Sequence, residues 1–164
     1  MSPVIHRFQA MGSACAIHVE TDDPPASRLV ALAAEVEVRR IEARYSRYRG
    51  DSELSRINLV AAEGGSTDVD GETAGLIAYA QACFRSSAGA FDITSGSLRR
   101  AWDFSAPRLP EQREIDALLP RIGLDKVSLS GSRLSFAVSG MELDRSPAIA
   151  ARASASSISA ATSA

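Results

Sequence analysis

Two short stretches with alternating side chains open the chain. Residues 4–10 read V-I-H-R-F-Q-A and residues 13–20 read S-A-C-A-I-H-V-E, with small or apolar side chains at every second position. A period of two is typical of β-strands, and Met11 with Gly12 between the stretches suits a tight turn. The pattern predicts an antiparallel hairpin.

A helical period replaces the alternation from about residue 26 to residue 45. Its apolar stripe comprises Val30, Ala34, Val38, Ile41, Tyr45 and Tyr48. The opposite face is predicted to carry Arg28, Glu35, Arg39 and Glu42. We expect an amphipathic helix that packs by one stripe against a sheet and gains support from charge pairs one turn apart.

Further helices and one more hairpin follow. Ser52 and Glu53 begin a predicted short helix that runs through Asn58, and Asp70 is a good N-cap for a helix that ends just before Gly89. The other predicted elements are a short helix over 98–104 with Trp102 and Phe104 as apolar anchors, a helix over about 111–122, and strands over 126–130 and 133–138 joined at Gly131 and Ser132.

The periodic pattern stops after Asp144. Of the seventeen residues from Ala148 to Ala164, eight are Ala and five are Ser. Such a segment has no large apolar face with which to dock. We predict one folded region over residues 1–144 and a disordered or frayed tail over residues 145–164.

Composition excludes several classes of function. A chain of 164 residues can bury one substantial core, while a formal net charge of -2 with interspersed signs gives no field that gathers nucleic acid. The two cysteines, Cys15 and Cys83, are far apart, and only two histidines accompany them. A zinc site and a disulfide framework are therefore not expected.

The first residues, MSPVIHRFQAMGS, show no basic segment followed by an apolar one, and no window approaches the roughly 20 apolar residues of a membrane span. From the sequence as written we expect no membrane span and a cytoplasmic protein.

One stretch, GAFDITSGSL over residues 89–98, invites a chemical interpretation. Small residues at Gly89 and Ala90 leave backbone amides open to a flat or anionic ligand, while Phe91 can pack on a ring and Asp92 can accept a hydrogen bond. The structural alternative is that Gly89 caps a helix, Phe91 enters the core with Ile93 as a short strand, and Asp92 caps the next helix. The residues alone leave both interpretations open.

Three other positions carry the same ambiguity. Met11 at a hairpin tip and Tyr48 after a helix are, taken singly, ordinary packing residues or ligand contacts. Asp144 follows an apolar strand-like segment and is either a carboxylate that faces a ligand or a turn former.

Four segments, taken in their order along the chain, resemble one family. The chain is similar to the ApbE family of FAD:protein FMN transferases in F-Q-A-M-G-S, then I-E-A-R-Y-S-R-Y-R-G-D-S-E-L-S-R-I-N, then S-A-G-A-F-D-I-T-S-G-S-L with W-D-F, then M-E-L-D. The resemblance covers about residues 5–144, which correspond to the N-terminal half of a family member.

The resemblance implies an α+β, T-fold-like domain of antiparallel strands with packed helices, here incomplete. It also implies FAD as substrate and Mg²⁺ as the cation, with FMN transferred to a Thr or Ser hydroxyl of a target protein and AMP released. Targets in the family are typically subunits of electron-transfer systems. Motif matching carries cofactor contacts onto Met11, Tyr48, Ala90, Phe91, Asp92 and Asp144.

The sequence departs from the family at Ser13, where the family usually has Thr, and more strongly after Asp144, where Arg145, Ser146 and Pro147 stand in place of a glycine-containing turn. No metal ligand is carried over, and we expect a frameshifted or truncated member whose turnover is doubtful. The competing interpretations are a binding module for flavin or a partner without chemistry, and a fragment without function.

Overall fold

The computed structural model describes residues 4–20, 22–101 and 109–144. The chain divides into two compact units, Met1–Glu53 and Leu54–Ala164. Within the described ranges no helix is long and apolar enough to cross a bilayer.

The first unit begins with the predicted hairpin. Strand β1, Val4–Ala10, pairs antiparallel with β2, Ser13–Val19, in a register that joins Phe8 to Cys15 across the ladder. The loop between the strands has two residues, and both adopt positive φ, as a type I′ turn requires. The prediction of this hairpin is confirmed.

The predicted amphipathic helix is also present, as α1, Pro24–Arg44. Its N-cap is Asp23, whose carboxylate accepts from the Ala26 amide at 3.1 Å. The side that is buried or half-buried carries Ser27, Ala31, Ala34, Glu35, Val38, Ile41 and Tyr45. This helix lies against both strands of the hairpin.

Four positions of the predicted helix faces are wrong. Val30 is 56% exposed, and Tyr48 follows the end of the helix and is 80% exposed. Glu35 and Glu42, predicted on the charged outer face, instead bond to the hairpin through His6 and the Met11 amide. Ala34, Val38, Ile41 and Tyr45 of the predicted stripe do lie on the buried or half-buried side, and toward the start of the helix Ser27 and Ala31 are buried in place of Val30.

The second unit contains three strands and three α-helices among its described residues. Helix α2, Glu53–Glu63, which starts at the last residue of the first unit, runs five residues past the predicted end at Asn58. Strand β3, Ser66–Asp68, was not predicted. It is recognisable only in three dimensions, because its three residues pair with residues 133–135, far along the chain.

Strands β4, Val127–Ser130, and β5, Arg133–Phe136, form the predicted hairpin of the second unit. The sheet of this unit has the order β3-β5-β4, with all neighbours antiparallel. Helix α3, Gly71–Ser86, packs on β4 and donates to it from Gln81 Nε2 to the Val127 carbonyl at 3.0 Å. Leu134 and Phe136 of β5 are buried in the resulting core.

Both predicted ends of α3 are confirmed. The Asp70 side chain accepts from the Thr73 amide at 3.0 Å, as an N-cap does. At the other end the Gly89 amide donates to the Phe84 carbonyl and the Ala88 amide donates to Arg85, which is the hydrogen-bond pattern of a Schellman motif. Ala88 (φ 51°) and Gly89 (φ 85°) both adopt the left-handed conformation.

The region after α3 differs from the prediction. A 3₁₀ helix spans Ile93–Arg100 where a short strand and then a helix over 98–104 were expected. The helix expected over 111–122 is α4, Gln112–Asp116, followed by a 3₁₀ turn, Leu119–Arg121, because Pro120 interrupts the helical hydrogen bonds. Trp102, Phe104 and the predicted tail over 145–164 lie outside the described residues.

Candidate functional site

The turn that follows α3 is held by the Asp92 carboxylate. Its Oδ1 atom accepts from the Thr94 amide and from Thr94 Oγ1, both at 2.7 Å, while Oδ2 accepts from the Leu124 amide at 3.2 Å. The Gly123 amide in turn donates to Thr94 Oγ1 at 2.7 Å. Asp92 therefore caps the 3₁₀ helix and ties it to residues thirty positions away, as the structural alternative predicted.

The residues before Asp92 are more open. The Phe91 amide donates to Ser87 Oγ at 2.9 Å, and the Phe91 side chain is half-buried rather than part of a strand. Ala90 is exposed. The turn thus has one exposed small residue and one half-buried aromatic side chain, next to a carboxylate that accepts from three donors.

Asp144 lies against this same turn. Its amide donates to the Ile93 carbonyl at 2.7 Å. Gly96 permits the approach, since a Cβ at this position would lie 3.2 Å from the Glu142 carbonyl oxygen and 3.3 Å from the Asp144 Cβ. The second unit therefore brings Asp144 to the turn formed by Asp92 and the residues after it.

The segment that ends in Asp144 is anchored from α2 as well. Asn58 donates from Nδ2 to the Leu143 carbonyl at 3.1 Å and accepts at Oδ1 from the Leu143 amide at 2.8 Å. Met141 and Leu143 are both buried. The segment that ends in Asp144 is in this way fixed by a side chain eighty-five residues before Leu143 in the sequence.

Charged side chains surround the Asp144 carboxylate. Arg99 bonds to Asp144 Oδ2 through Nη1 and to Glu142 Oε1 through Nη2, the latter at 2.7 Å. Arg100 bonds to the other oxygen of Glu142 at 3.2 Å. Two arginines and two carboxylates therefore form one balanced network beside the turn.

The first unit contains Met11 and Tyr48. Met11, at the tip of the hairpin, is 38% exposed, and its amide donates to Glu42 Oε1 of α1 at 2.6 Å. Tyr48 presents an exposed ring, with the Arg47 guanidinium carbon 4.7 Å from the ring centroid and Arg47 Nη2 2.5 Å from the phenol oxygen. Both are surface residues with side chains open to a ligand.

Asp51 follows Tyr48 in the next turn. The Arg49 guanidinium donates to both of its oxygens, at 3.1 Å and 2.8 Å. These hydrogen bonds and the opposite charge lower the pKa of Asp51 below its usual range, so the group is an anion at neutral pH. The pair is exposed and is a local contact along the chain.

The six predicted contacts thus divide between the units. Met11 and Tyr48 belong to the first unit, while Ala90, Phe91, Asp92 and Asp144 belong to the second. Within the second unit, Asp144 packs against the turn that contains the other three. Within the described ranges, no three residues of the types His, Cys, Asp and Glu are grouped so as to hold a metal ion.

Sequence reasoning missed Asn58, Gly96 and Arg99 as residues that shape this site. Gly96 stands beside Ser95 and Ser97, and that run of small residues was the available signal for a close backbone approach. Asn58 and Arg99 gave no such signal, because their partners lie 85 and 45 positions away.

Comparison of the sequence with known families gives one answer for most of the chain: residues 11–160 match the ApbE family. The chain belongs to the ApbE family. This match covers most of the sequence and extends beyond Asp144, at which the motif resemblance ends.

Solved structures share the ApbE fold. The ApbE protein of Thermotoga maritima is 27% identical with a TM-score of 0.77, over 88% of this chain and 47% of that protein. The apo form of the flavinyl transferase ApbE of Pseudomonas stutzeri is 28% identical with a TM-score of 0.71, over 88% of this chain and 48% of that protein. The predicted α+β fold is confirmed.

A curated relative is the FAD:protein FMN transferase of Haemophilus influenzae, which is 27% identical over 103 residues. Those residues are 60% of this chain and 30% of that protein. This ApbE chain therefore spans about half the length of the structures that it matches and less of the curated relative.

Proposed function

We propose that this chain is the flavin-holding part of an FAD:protein FMN transferase. The observation that carries the proposal is the packing of Asp144 on the turn that contains Ala90, Phe91 and Asp92, in a chain that belongs to the ApbE family. The substrate is FAD, and the acceptor is a Thr or Ser hydroxyl of a target protein, for which a subunit of an electron-transfer system is the natural candidate.

The proposed reaction is a displacement at phosphorus. The acceptor oxygen forms a bond to the phosphorus of the FMN half of FAD, the P–O bond to the AMP half breaks, and AMP departs while the acceptor loses its hydroxyl proton. Mg²⁺ is the proposed cation, and when bound it offsets negative charge on the pyrophosphate. We assign no ligand to it, because the described residues provide no group of three suitable side chains.

Each predicted contact has a separate part in binding. Ala90 leaves the backbone accessible and Phe91 offers a half-buried aromatic ring, while Asp92 holds the turn that contains them. Tyr48 provides an exposed ring for stacking on a flat heterocycle, Met11 provides a flexible apolar contact, and Asp144 accepts from a ligand hydroxyl or N–H.

Calorimetric titration with FAD tests the proposal, with and without Mg²⁺. Saturable binding is expected, and Tyr48→Ala should raise Kd about tenfold or more, since stacking on one aromatic side chain contributes roughly 1–3 kcal/mol. Tyr48→Phe should retain most of the affinity. Leu59→Ala is the matched control, because Leu59 is 69% exposed and lies outside the predicted contacts.

Incubation with FAD, Mg²⁺ and a candidate acceptor then separates binding from chemistry. A gain of one FMN mass on the acceptor together with AMP supports the transferase. AMP without a labelled acceptor indicates hydrolysis of FAD, and binding without AMP indicates a flavin-binding module. Absence of FAD binding under all conditions contradicts the proposal.

A further inference from the structure

Arg99 joins two acidic residues in the segment that follows the second hairpin. Met141 and Leu143 are buried whereas Glu142 and Asp144 are half-buried, so the two acidic side chains share the more open side. The guanidinium of Arg99 bonds to one oxygen of each. A planar fork of this kind restrains both carboxylates together, whereas a single ammonium group would restrain neither in orientation.

Three side chains of the network are partly shielded from solvent. Those of Arg99, Glu142 and Asp144 are 28%, 21% and 15% exposed. The Asp144 amide is independently bonded to the Ile93 carbonyl. Asp144 is therefore restrained at its amide, and Arg99 restrains one oxygen of its carboxylate.

The described side chains of the network are opposite in charge. Arg99 and Arg100 contact Glu142 and Asp144. Replacing Arg99 with a neutral residue removes a positive charge from beside Asp144. A dinucleotide with a pyrophosphate is an anion, and a more negative surface repels it most strongly at low ionic strength.

We propose that Arg99 is a positioning residue for flavin-dinucleotide binding, one that orients Asp144 toward the ligand and cancels the acidic charge that would repel the pyrophosphate. The inference rests on the proposed function, since it assumes that Asp144 contacts FAD. It assigns to this chain's own arginine a role that the six predicted contacts do not include.

Titrations of Arg99→Gln, Arg99→Lys and Arg100→Gln with FAD at low and high ionic strength test the inference. Arg99→Gln should raise Kd about tenfold at low ionic strength, the size of effect expected when a charged hydrogen-bond partner is lost. The increase should shrink at high ionic strength. Arg99→Lys keeps the charge but not the fork, so its Kd should lie between those of Arg99→Gln and the unaltered chain.

Arg100→Gln is the matched control, because Arg100 is the neighbouring arginine of the same network but is 56% exposed and does not bond Asp144. Its Kd should change by less than about twofold, as for an exposed ion pair. Urea unfolding of Arg99→Gln, Asp144→Asn and the double variant provides a second measurement. The double variant should be no less stable than Arg99→Gln, because Arg99→Gln already removes the contact between Arg99 and Asp144.

The outcomes separate the inference from the function on which it rests. FAD binding by the unaltered chain with unchanged affinity in Arg99→Gln overturns the inference alone, as does an equal loss in Arg100→Gln. A loss that is independent of ionic strength and is not reduced in Arg99→Lys also overturns it. No FAD binding by the unaltered chain contradicts the proposed function, and the inference falls with it.

Discussion

Met11 adopts a backbone conformation that its side chain disfavours. Its φ is 55°, in the left-handed region, and Gly12 follows at 75°. Asn-Gly is the preferred pair in a type I′ hairpin turn, and a methionine in its first position carries a steric penalty of about 1 kcal/mol. Strained backbone conformations are often retained at ligand-binding sites, so we interpret the conformation of Met11 as one that lowers folding stability in favour of ligand binding.

Replacing Met11 should therefore separate stability from affinity. Met11→Asn is expected to raise the free energy of unfolding by about 0.5–1 kcal/mol, because asparagine tolerates the left-handed conformation. The hydrogen bond from the amide of residue 11 to the Glu42 carboxylate is retained, since its donor is the backbone. Urea denaturation measures the gain, and FAD titration should show weaker binding. Equal or stronger FAD binding in this variant would remove Met11 from the site.

At the scale of elements, the connection between α2 and the segment before Asp144 depends on one side chain. Asn58→Ala removes the donor and the acceptor that pair with the Leu143 backbone, and Leu143 is only 2% exposed. Two buried backbone groups then lack partners, which should lower the free energy of unfolding by about 2–4 kcal/mol in urea. Asn58→Asp keeps only the acceptor and should be intermediate. A loss below about 0.5 kcal/mol would show that water replaces the side chain.

The hairpin and α1 are joined by a pair that depends on pH. His6 Nε2 lies 2.5 Å from Glu35 Oε2, and this hydrogen bond, with a second from Arg39, lowers the pKa of Glu35 below 4.5. A carboxylate with a lowered pKa in the folded state stabilises it above the unfolded pKa, and that contribution is lost as the pH falls through the folded value.

Thermal unfolding should therefore show a Tm that falls below about pH 4.5. The fall should be shallower in Glu35→Gln, which has no carboxylate at this position to protonate. Glu63→Gln removes the same charge from an exposed position on α2 and serves as the control. Identical pH profiles for Glu35→Gln and the unaltered chain would show that the pair does not contribute to stability.

The extent to which these elements follow from sequence depends on the range of their contacts. The first hairpin, α1 and the caps of α3 were predicted because turn residues, helical periods and an N-cap act locally. Strand β3 was not, since it depends on β5, and the tie between Asp92 and the Leu124 amide was not, since it joins residues 32 positions apart. The charge network around Asp144 is equally non-local, so motif matching found Asp144 without its partner Arg99.

At the scale of the whole molecule, charge and exposed apolar surface act together. The formal net charge is only -2 at pH 7, and the sequence pI is about 5.7. Leu29, Leu32 and Val36 lie on one side of α1 and are 70%, 45% and 67% exposed. With little net charge to keep molecules apart, a contiguous apolar stripe promotes association.

We therefore expect light scattering by the purified chain to be greatest near pH 5.7 and to decrease as the pH is raised. Leu29→Glu should suppress this association, because it places a charge within the α1 stripe. Leu59→Glu changes the net charge by the same amount at a residue of nearly equal exposure, 69%, on α2 in the other unit. If Leu59→Glu suppressed association as strongly as Leu29→Glu, net charge would be responsible. A larger effect of Leu29→Glu assigns the association to the apolar stripe of α1.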